Sequence, residues 1–513
     1  MPPEFSGPSD LPGEATSPWL ATTDDAGYDA LEDHIKVDVA VVGGGIAGLS
    51  SAHALRDRGK SVAVLERDGL AAGVTGKTTA KVTSQHGLIY DHLRREFGRR
   101  DARRYAEVNQ AAIEEVADRV EKWDGSFGFE RHPAYVYSDD RDEIEREVDA
   151  AKAADLPASF VTSVPPFERA ACAVRFDEQA CFHPRKYLLA LADELAAESG
   201  TRIYEHTRVT DVQPGEPCRL ETADGRVTAD NVVLATGFPI LDRAGYFARM
   251  HPKRSYVLGI RIEGEPPEGM YYSPGEPYRS VRTHRDEDGT LLLVGGENHK
   301  TGQGGSTTER YRRLEEWARE RFPVRSIDYH WSTQDYVPAD KVPFIGRVGA
   351  GATNVYVATG FRGWGMTTGV AAGSLLADAI TGVENPALEL FDPLRFTPKT
   401  SAPKTLTENA DSASQFATDW LQALLTSDFE TIDRGEGTVV REGASPIALA
   451  RDDAGDLHAT SAVCTHMGCL VEWNDAECSW DCPCHGSRFS PDGAVLEGPA
   501  VEDLPRQESD DVR

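Results

Sequence analysis

The sequence of residues 36–66 is KVDVAVVGGGIAGLSSAHALRDRGKSVAVLE. It begins with a short, β-branched apolar run, passes through a glycine-rich turn into apolar residues at helical spacing, and ends in a second apolar run. Glu66 closes this second run about twenty residues after the glycines, where a dinucleotide-binding fingerprint has its acidic residue. The order predicts a strand–helix–strand unit with a phosphate-binding turn.

The glycines of this turn have the roles that a pyrophosphate site requires. Gly43 allows the tight turn, Gly45 lets backbone N–H groups approach the phosphates, and Gly48 lets the helix pack close to the strand. The helix then directs its positive dipole end at the phosphates, and Glu66 can accept hydrogen bonds from ribose hydroxyls. The alternative is a glycine-rich turn that binds no ligand.

The composition restricts the class of partner. The 513 residues include 54 basic and 84 acidic side chains, a net charge of −30, which argues against a nucleic acid or an anionic membrane surface. Arg far outnumbers Lys and the acids are spread along the whole chain, which indicates a salt-adapted, halophilic surface; an ordinary acidic cytosolic enzyme is the alternative. No apolar run reaches the roughly 18 residues that a membrane span needs.

The length predicts about three domains. Residues 1–34 are acidic and rich in Pro and Gly, without the basic and apolar regions of a signal peptide. We expect a disordered tail there and a cytoplasmic protein. Prolines from residue 393 onward interrupt the strand and helix pattern of the first domain. We therefore predict that residues 393–427 form a linker with a connecting helix, and the alternative is that this helix belongs to the core of the first domain. Short strands and turns follow over 428–513.

Hydrophobic periodicity predicts helices at Asp101–Trp123, Pro184–Ser199 and Thr308–Phe322. A hydroxyl-rich loop with two lysines follows Glu66 over residues 73–86. Residues 354–382 again have the order strand, glycine-rich turn and helix. This second turn is too irregular for another fingerprint, so we expect it to present a helix N-terminus to the ligand that the first turn holds.

These motifs resemble, in chain order, the D-amino-acid oxidase/glycine oxidase superfamily of FAD-dependent oxidoreductases over roughly residues 35–382. The resemblance implies a Rossmann-like α/β FAD-binding part (about 35–96, 165–240 and 340–392) and an inserted antiparallel-sheet, α+β substrate part (about 97–164 and 241–339). It implies FAD as cofactor, with contacts from Gly43, Gly45, Ile46, Ala47, Gly48, Glu66, Arg67, Thr78, Thr79, Ala80, Lys81, Val209, Ala235, Thr236, Gly237, Gly360, Gly363, Gly365, Met366 and Thr367.

One departure from the superfamily concerns the substrate. Sarcosine-oxidase-like members have a Lys for the substrate carboxylate just after the last glycine-rich turn, where this chain has Met366-Thr367-Thr368. Simple amino-acid substrates are therefore disfavoured. The sequence identifies no catalytic residue. Four conceivable replacements for the Lys, each of a type that is more often a surface or structural residue, are Arg254, Arg282, Arg362 and His86.

A second site lies near the C-terminus. Five of the eight cysteines fall between Cys464 and Cys484, which indicates a local site rather than a disulfide framework. Cys464, His466, Cys482 and His485 have the spacing C-x-H-x15-C-x2-H, and two Cys with two His can hold one tetrahedral zinc. Against zinc, each half has a further Cys and a Gly at a fixed offset, with apolar residues around them.

This pattern resembles an all-β Rieske [2Fe–2S] domain. The resemblance implies that Cys464 and Cys482 bind one iron and that His466 and His485 bind the other. It also implies a disulfide between Cys469 and Cys484, a hydrogen bond from Ser487 to a bridging sulfide, and a covering proline loop at Gly498-Pro499-Ala500. Neutral imidazoles raise the potential above that of all-Cys clusters. Phe489 replaces the Tyr donor of high-potential relatives, so we expect a potential toward the low end of the Rieske range.

The combined pattern, including TTAKVTSQHG and WDCPCHGSRF, resembles FAD-dependent oxidoreductases with a C-terminal Rieske domain found in bacteria and archaea. Few residues follow His485, so a downstream mononuclear-iron oxygenase site is disfavoured. We expect oxidation of a small molecule, for example an amine, by hydride transfer to flavin, with electrons passing singly through the cluster to an external one-electron carrier. A dehydrogenase is favoured over an oxidase. The alternatives are a reductase with reversed electron flow and a non-catalytic redox carrier or sensor.

Overall fold

The structure is a computed structural model that describes residues 11–167, 169–397, 432–442, 445–452 and 454–507. A 3₁₀ turn spans Val74–Lys77. The helices of the described residues are α1 Pro18–Ala21, α2 Ile46–Asp57, α3 Tyr90–Glu96, α4 Arg99–Lys122, α5 Arg141–Ala153, α6 Pro184–Ala197, α7 Tyr246–Arg249, α8 Thr307–Arg319, α9 Gly365–Thr381 and α10 Leu388–Phe391. None of these helices has the length and apolar composition that would let it cross a bilayer.

The strands fall into four sheets. Their bounds are β1 His34–Val42, β2 Val62–Leu65, β3 Lys81–Val82, β4 Glu130–Ser138, β5 Ala158–Val161, β6 Cys172–Cys181, β7 Thr201–Tyr204, β8 Asp211–Gln213, β9 Cys218–Glu221, β10 Arg226–Leu234, β11 Met250–Ile262, β12 Met270–Ser273, β13 Arg279–Asp286, β14 Gly289–Lys300, β15 Val324–Pro338, β16 Phe344–Arg347, β17 Val355–Thr359, β18 Gly437–Glu442, β19 Ser445–Arg451, β20 Leu457–Ser461, β21 Glu472–Asn474, β22 Ser479–Asp481, β23 Arg488–Phe489 and β24 Val495–Glu497.

The first sheet contains the predicted strand–helix–strand unit as β1, α2 and β2. Its order is β16-β17-β10-β1-β2-β7, with β9 pairing β10 and β8 pairing β9. The strands from β17 to β7 are parallel, whereas β16 runs antiparallel to β17. The second half of β1, from Val39 to Val42, and all of β2 consist of buried apolar residues, as expected of strands that helices cover. This sheet is the predicted Rossmann-like α/β layer.

Two glycines bring α9 close to α2. A Cβ on Gly373 would lie 2.6 Å from the Ser50 carbonyl atoms, and one on Gly369 would lie 2.8 Å from Cγ2 of Ile46. The contact places the start of α9 beside the start of α2. Both helix N-termini, with their unpaired N–H groups, therefore face the same region, as the sequence predicts.

The second sheet has nine strands in the order β15-β11-β14-β13-β12-β4-β6-β3, with β5 on β6. It is mostly antiparallel, as expected, but β12 and β4 pair in parallel. The sequence assigns residues 81–82 and 172–181 to the FAD-binding part; these are β3 and β6, and both lie in the second sheet because β6 pairs with β4. The sheet faces the carboxyl-terminal ends of β1 and β2 across a cavity.

The prediction of a disordered tail is wrong for residues 11–34. The side chain of Trp19, on α1, is fully buried and donates a hydrogen bond from Nε1 to the Thr78 carbonyl over 2.7 Å. Leu11 and Leu31 are also buried. A few large apolar side chains are enough to fix this segment, although its average composition is that of a disordered chain. Residues 1–10 lie outside the described residues.

Within its described residues, the C-terminal domain has two small sheets, β18-β19-β20 and β21-β22-β23-β24. Its core includes Trp480 and Phe489, both fully buried, and the cysteines that the sequence singles out. The all-β architecture is the predicted one. The predicted connecting helix and the start of this domain fall largely on residues 398–431, which lie outside the described residues.

Candidate functional site

The turn between β1 and α2 requires two of its glycines for steric reasons. Gly43 has φ +108°, and a Cβ there would lie 2.6 Å from the Ala235 carbonyl oxygen. A Cβ on Gly48 would lie 1.8 Å from the carbonyl oxygen of Gly43. A side chain at position 48 would push the helix off the strand, and one at position 43 would push the turn away from the segment that follows β10.

Glu66 holds this turn as well as lining the cavity beside it. Its carboxylate accepts hydrogen bonds from the backbone N–H groups of Gly44, at 2.6 Å, and Asp68, at 2.9 Å. Burial raises the pKa of Glu66, although these two bonds favour its charged form. The sequence indicates only the ribose-binding role; the bracing of the turn follows from the structure.

One large cavity, of about 370 Å³, runs between the first sheet, the second sheet and the C-terminal domain. Its volume is in the range of small-molecule and cofactor sites. Most of the predicted FAD contacts line it: Gly43, Gly45, Ile46, Ala47, Glu66, Arg67, Thr78, Thr79, Lys81, Val209, Ala235, Thr236, Gly237, Gly360, Gly363, Gly365 and Met366.

Three predicted contact residues do not line the cavity. Gly48 lies behind the turn, and Ala80 is fully buried with φ +56°. Thr367 exchanges hydrogen bonds with the backbone of Thr83, accepting from its N–H and donating to its carbonyl, each at 2.9 Å. These residues hold the cavity walls in place, because they fix α2, the 78–81 loop and α9 to their neighbours.

The second-sheet end of the cavity combines aromatic rings with charges. Tyr272 stacks on Tyr278 with ring centroids 5.3 Å apart, and Trp364 meets Tyr272 edge-on at 5.5 Å. Arg362 and Asp335 line the same region. Burial raises the pKa of Asp335 to about 6, although the Gly363 N–H and Lys253 favour the charged carboxylate. A carboxylate beside aromatic faces can bind a cation.

Lys81 is a buried base on the cavity wall. Its Nζ donates to the Ser280 hydroxyl across the second sheet. Burial lowers the pKa of Lys81 to about 7, and the charge of Arg282 acts in the same direction. The position of Lys81 in the sequence does not indicate this lowered pKa.

Of the four conceivable replacements for the substrate lysine, Arg362 lines the cavity. Arg254 is buried against the C-terminal domain, where it pairs with Glu477. Arg282 donates to the Thr79 carbonyl and lies over the Trp19 ring. His86 bonds to Tyr105 Oη at 2.6 Å and the Thr83 carbonyl at 2.7 Å. Arg362 also has a structural partner, since its Nη1 donates to the Lys341 carbonyl at 2.8 Å, so its position on the cavity wall is what distinguishes it from the other three.

The four predicted cluster ligands meet at one end of the C-terminal domain. The rings of His466 and His485 lie 5.0 Å apart, and the cysteine side chains are buried. Nδ1 of each histidine is buried without a hydrogen-bond partner among the described residues. Two such nitrogens, on the same two loops as two buried cysteines, fit a metal cluster, because a buried imidazole nitrogen otherwise finds a partner.

Two backbone-bonded loops hold these ligands. In one, the Cys464 N–H donates to the Cys469 carbonyl at 2.8 Å; in the other, the Cys482 N–H donates to the Ser487 carbonyl at 2.8 Å. A disulfide joins the loops through Cys469 and Cys484, the pairing that the resemblance implies. The sulfurs of Cys469, Cys482 and Cys484 lie together, but the disulfide leaves only Cys482 of the three as a thiol ligand.

The comparisons with known proteins identify both parts of the chain. The family model described as "FAD dependent oxidoreductase" matches residues 38–379. The chain belongs to this family. The model of the Rieske [2Fe-2S] domain matches residues 419–508. The cofactors are therefore FAD and a Rieske [2Fe–2S] cluster, which answers the zinc alternative.

Named relatives agree with this assignment. The "Putative Rieske 2Fe-2S iron-sulfur protein YhfW" of Bacillus subtilis is 38% identical over 491 residues, 95% of this chain and 96% of that one. Gamma-glutamylputrescine oxidoreductase of Escherichia coli is 25% identical over 388 residues, 72% of this chain and 90% of its own. Glycine oxidase from Geobacillus kaustophilus has a similar fold, with a TM-score of 0.58 at 19% identity, over 70% of this chain and 99% of that one.

The FAD domain packs against the histidine edge of the Rieske domain. The ring of Phe238 lies 6.2 Å from that of His466, and Phe247 lies 5.8 Å from His485. Phe238 also contacts Tyr336, with ring centroids 5.1 Å apart, and both residues line the cavity. No motif in the sequence indicates this interface, because its residues come from distant segments and carry no common signature.

Hydrogen bonds fix the same interface. Nε2 of Gln334 donates to the Gly486 carbonyl at 2.8 Å, and the Tyr336 hydroxyl donates to the Gly498 carbonyl at 2.7 Å. At the start of α8, the Asp475 carboxylate accepts from the Thr307 N–H at 2.7 Å. The loops that carry the predicted cluster ligands are thus held against the wall of the cavity.

Proposed function

We propose that this FAD-dependent oxidoreductase dehydrogenates a small amine at the second-sheet end of the cavity and delivers the electrons one at a time to an external one-electron carrier. When bound, FAD takes two electrons and a proton from a substrate as hydride, and the Rieske cluster carries single electrons. The remaining argument concerns the residues of the chain.

The observation that carries the proposal is the continuous aromatic contact from the cluster ligand to the cavity. The ring of His466 contacts Phe238, and Phe238 contacts Tyr336, with centroid distances of 6.2 and 5.1 Å. Both aromatic side chains are buried and line the cavity. These side chains occupy the space between the cavity and the cluster ligands, so that space holds protein rather than water. This close packing supports electron transfer within one chain.

The charges at the second-sheet end support an amine as substrate. Asp335 can pair with an ammonium group, and the faces of Tyr272 and Trp364 favour a cation, whereas the Tyr278 ring already has Nζ of Lys253 5.3 Å from its centroid. The oxidoreductase named for gamma-glutamylputrescine, a relative over most of the FAD domain, supports the same class. Thr367, at the position of the family lysine, bonds to backbone and offers no charge for a substrate carboxylate.

An anaerobic titration of the purified holoprotein with a panel of mono- and diamines tests the proposal. We expect at least one amine to bleach the flavin absorbance and to produce the EPR signal of the reduced cluster. Flavin that is bleached by dithionite but by none of the amines would contradict the substrate class. A cluster that stays oxidised after an amine has reduced the flavin would contradict the electron route.

The same sample distinguishes a dehydrogenase from an oxidase. We expect the reduced protein to be reoxidised rapidly by a one-electron acceptor such as ferricyanide and slowly by air. Rapid reoxidation by air, with formation of hydrogen peroxide, would contradict the external carrier.

A further inference from the structure

A segment of the Rieske domain, residues 495–501, forms part of the wall of the FAD cavity. It consists of β24 and the proline loop Gly498-Pro499-Ala500, which the Rieske resemblance assigns to the cluster. On one side the segment is tied to the cluster-binding loop, since the Ala500 N–H donates to the Ser487 hydroxyl at 3.0 Å. On the other side it faces the FAD domain, so one segment borders both cofactor sites.

Side chains of the FAD domain hold this segment at two points. Nη2 of Arg67 donates to the Leu496 carbonyl at 2.7 Å, and Nη2 of Arg208 donates to the Val501 carbonyl at 2.6 Å. Arg67 follows Glu66, the fingerprint acid that is expected to bind the ribose. Arg208 precedes Val209, a predicted adenine contact. Both arginines therefore lie at the adenosine end of the cavity.

The segment presents apolar side chains at that end. Leu496 and Val501 line the cavity. Leu496 is only half-buried and Val501 is 37% exposed, so both leave apolar surface for a ligand to cover. An adenine ring is planar and largely apolar on its faces. If it covered such side chains, their removal from water would contribute to the free energy of binding. Apolar residues of the FAD domain, among them Val42, Leu65 and Val209, also line the cavity, so the two domains share its apolar lining.

We propose that the Rieske domain is part of the FAD-binding site. Residues 495–501 cover the adenosine half of bound FAD, and FAD dissociates only after this segment has moved away. FAD affinity therefore depends on a docked Rieske domain. This inference rests on the two cofactors and the interface, and it holds whatever the substrate or the direction of electron flow.

The test is the FAD dissociation constant of full-length Leu496→Asp, measured by removing FAD and titrating it back while its fluorescence is quenched. We expect the constant to rise about tenfold or more, which corresponds to about 1.4 kcal/mol, because a charged carboxylate replaces an apolar contact with the adenosine half of FAD. The matched control is Leu457→Asp, in the same domain, with Leu457 45% exposed and outside the cavity wall. Its constant should stay within about twofold of the wild type.

The cluster absorbance and EPR signal report whether the Rieske domain of each variant is folded. An unchanged constant in Leu496→Asp with an intact cluster would overturn the proposal, and so would an equal loss in Leu457→Asp. If Leu496→Asp loses its cluster, Val501→Asp replaces it, because Val501 is more exposed and its change disturbs the fold less. The same tenfold rise is expected there, and an unchanged constant would be decisive against the proposal.

Discussion

At the scale of single residues, the proposed substrate recognition depends on Asp335. Its carboxylate lines the cavity near Arg362 and Trp364 and accepts a hydrogen bond from the Gly363 N–H. Burial raises its pKa to about 6, so the carboxylate is charged above this pH and neutral below it. An ammonium group gains from the charged form only.

We expect the apparent KM for an amine to rise as the pH falls through about 6, and we expect Asp335→Asn to raise KM about tenfold or more at pH 8. The variant should also lack this pH dependence. Steady-state kinetics across the pH range measure both effects. Asp211→Asn, which changes an exposed residue away from the cavity, is the control. A KM that rises with falling pH in Asp335→Asn as in the wild type would contradict the role of Asp335.

Single residues differ in how far sequence can predict them. The roles of Gly43 and Gly48 follow from a local turn, so their spacing is sufficient to predict them. The perturbed pKa of Asp335 or Lys81 depends on burial by segments far away in the chain, which no local pattern contains. The Nδ1 atoms of His466 and His485, which have no hydrogen-bond partner in the described part of the chain, are an intermediate case, because the ligand spacing is local and the burial is not.

At the scale of elements, α2 and α9 form the support of the cavity. Their close contact at Gly373 aligns the two helix N-termini. The sequence predicts both helices, and also α4, α6 and α8 to within about three residues at each end, because an amphipathic period is local. The membership of β3 and β6 in the second sheet is not predictable in this way, since strand pairing is decided by distant partners.

We expect Gly373→Ala to lower the free energy of unfolding by about 1–3 kcal/mol, because the new methyl group meets the backbone of Ser50. Loss of FAD should accompany it, since α9 shifts at the cavity. Thermal and chemical denaturation with FAD quantification measure both. Ser374→Ala, on the next and partly exposed position of α9, should change neither. If Gly373→Ala were as stable as Ser374→Ala, the close contact between α9 and α2 at Gly373 would be contradicted.

At the scale of the whole molecule, the two domains meet through a buried group of charges. Arg254 from the FAD domain pairs with Glu477, and Arg488 reaches Glu477 at 3.0 Å and Asp481 at 2.9 Å. Burial alone would raise the pKa of Glu477, but the two guanidinium groups outweigh it and hold that pKa well below its usual range. Nothing in the sequence indicates which acids of the C-terminal domain face Arg254, so the docked arrangement is knowable only from the structure.

The net charge of −30 has a consequence for the whole molecule. Mutual repulsion of the surface acids destabilises the compact state, and salt screens it, whereas the buried charges at the interface are screened much less. We therefore expect the Tm to rise from low to multimolar KCl, in a series of thermal melts. A Tm that falls with salt would contradict the salt-adapted surface.

The most direct test of the central claim, electron transfer between the two cofactor sites within one chain, is anaerobic flash reduction of the flavin in the holoprotein. Cluster reduction is followed by absorbance and EPR at several protein concentrations. Because His466, Phe238 and Tyr336 connect the sites in one chain, we predict that the rate of cluster reduction is independent of protein concentration. A rate that increases in proportion to the concentration, or a cluster that stays oxidised, would contradict the account.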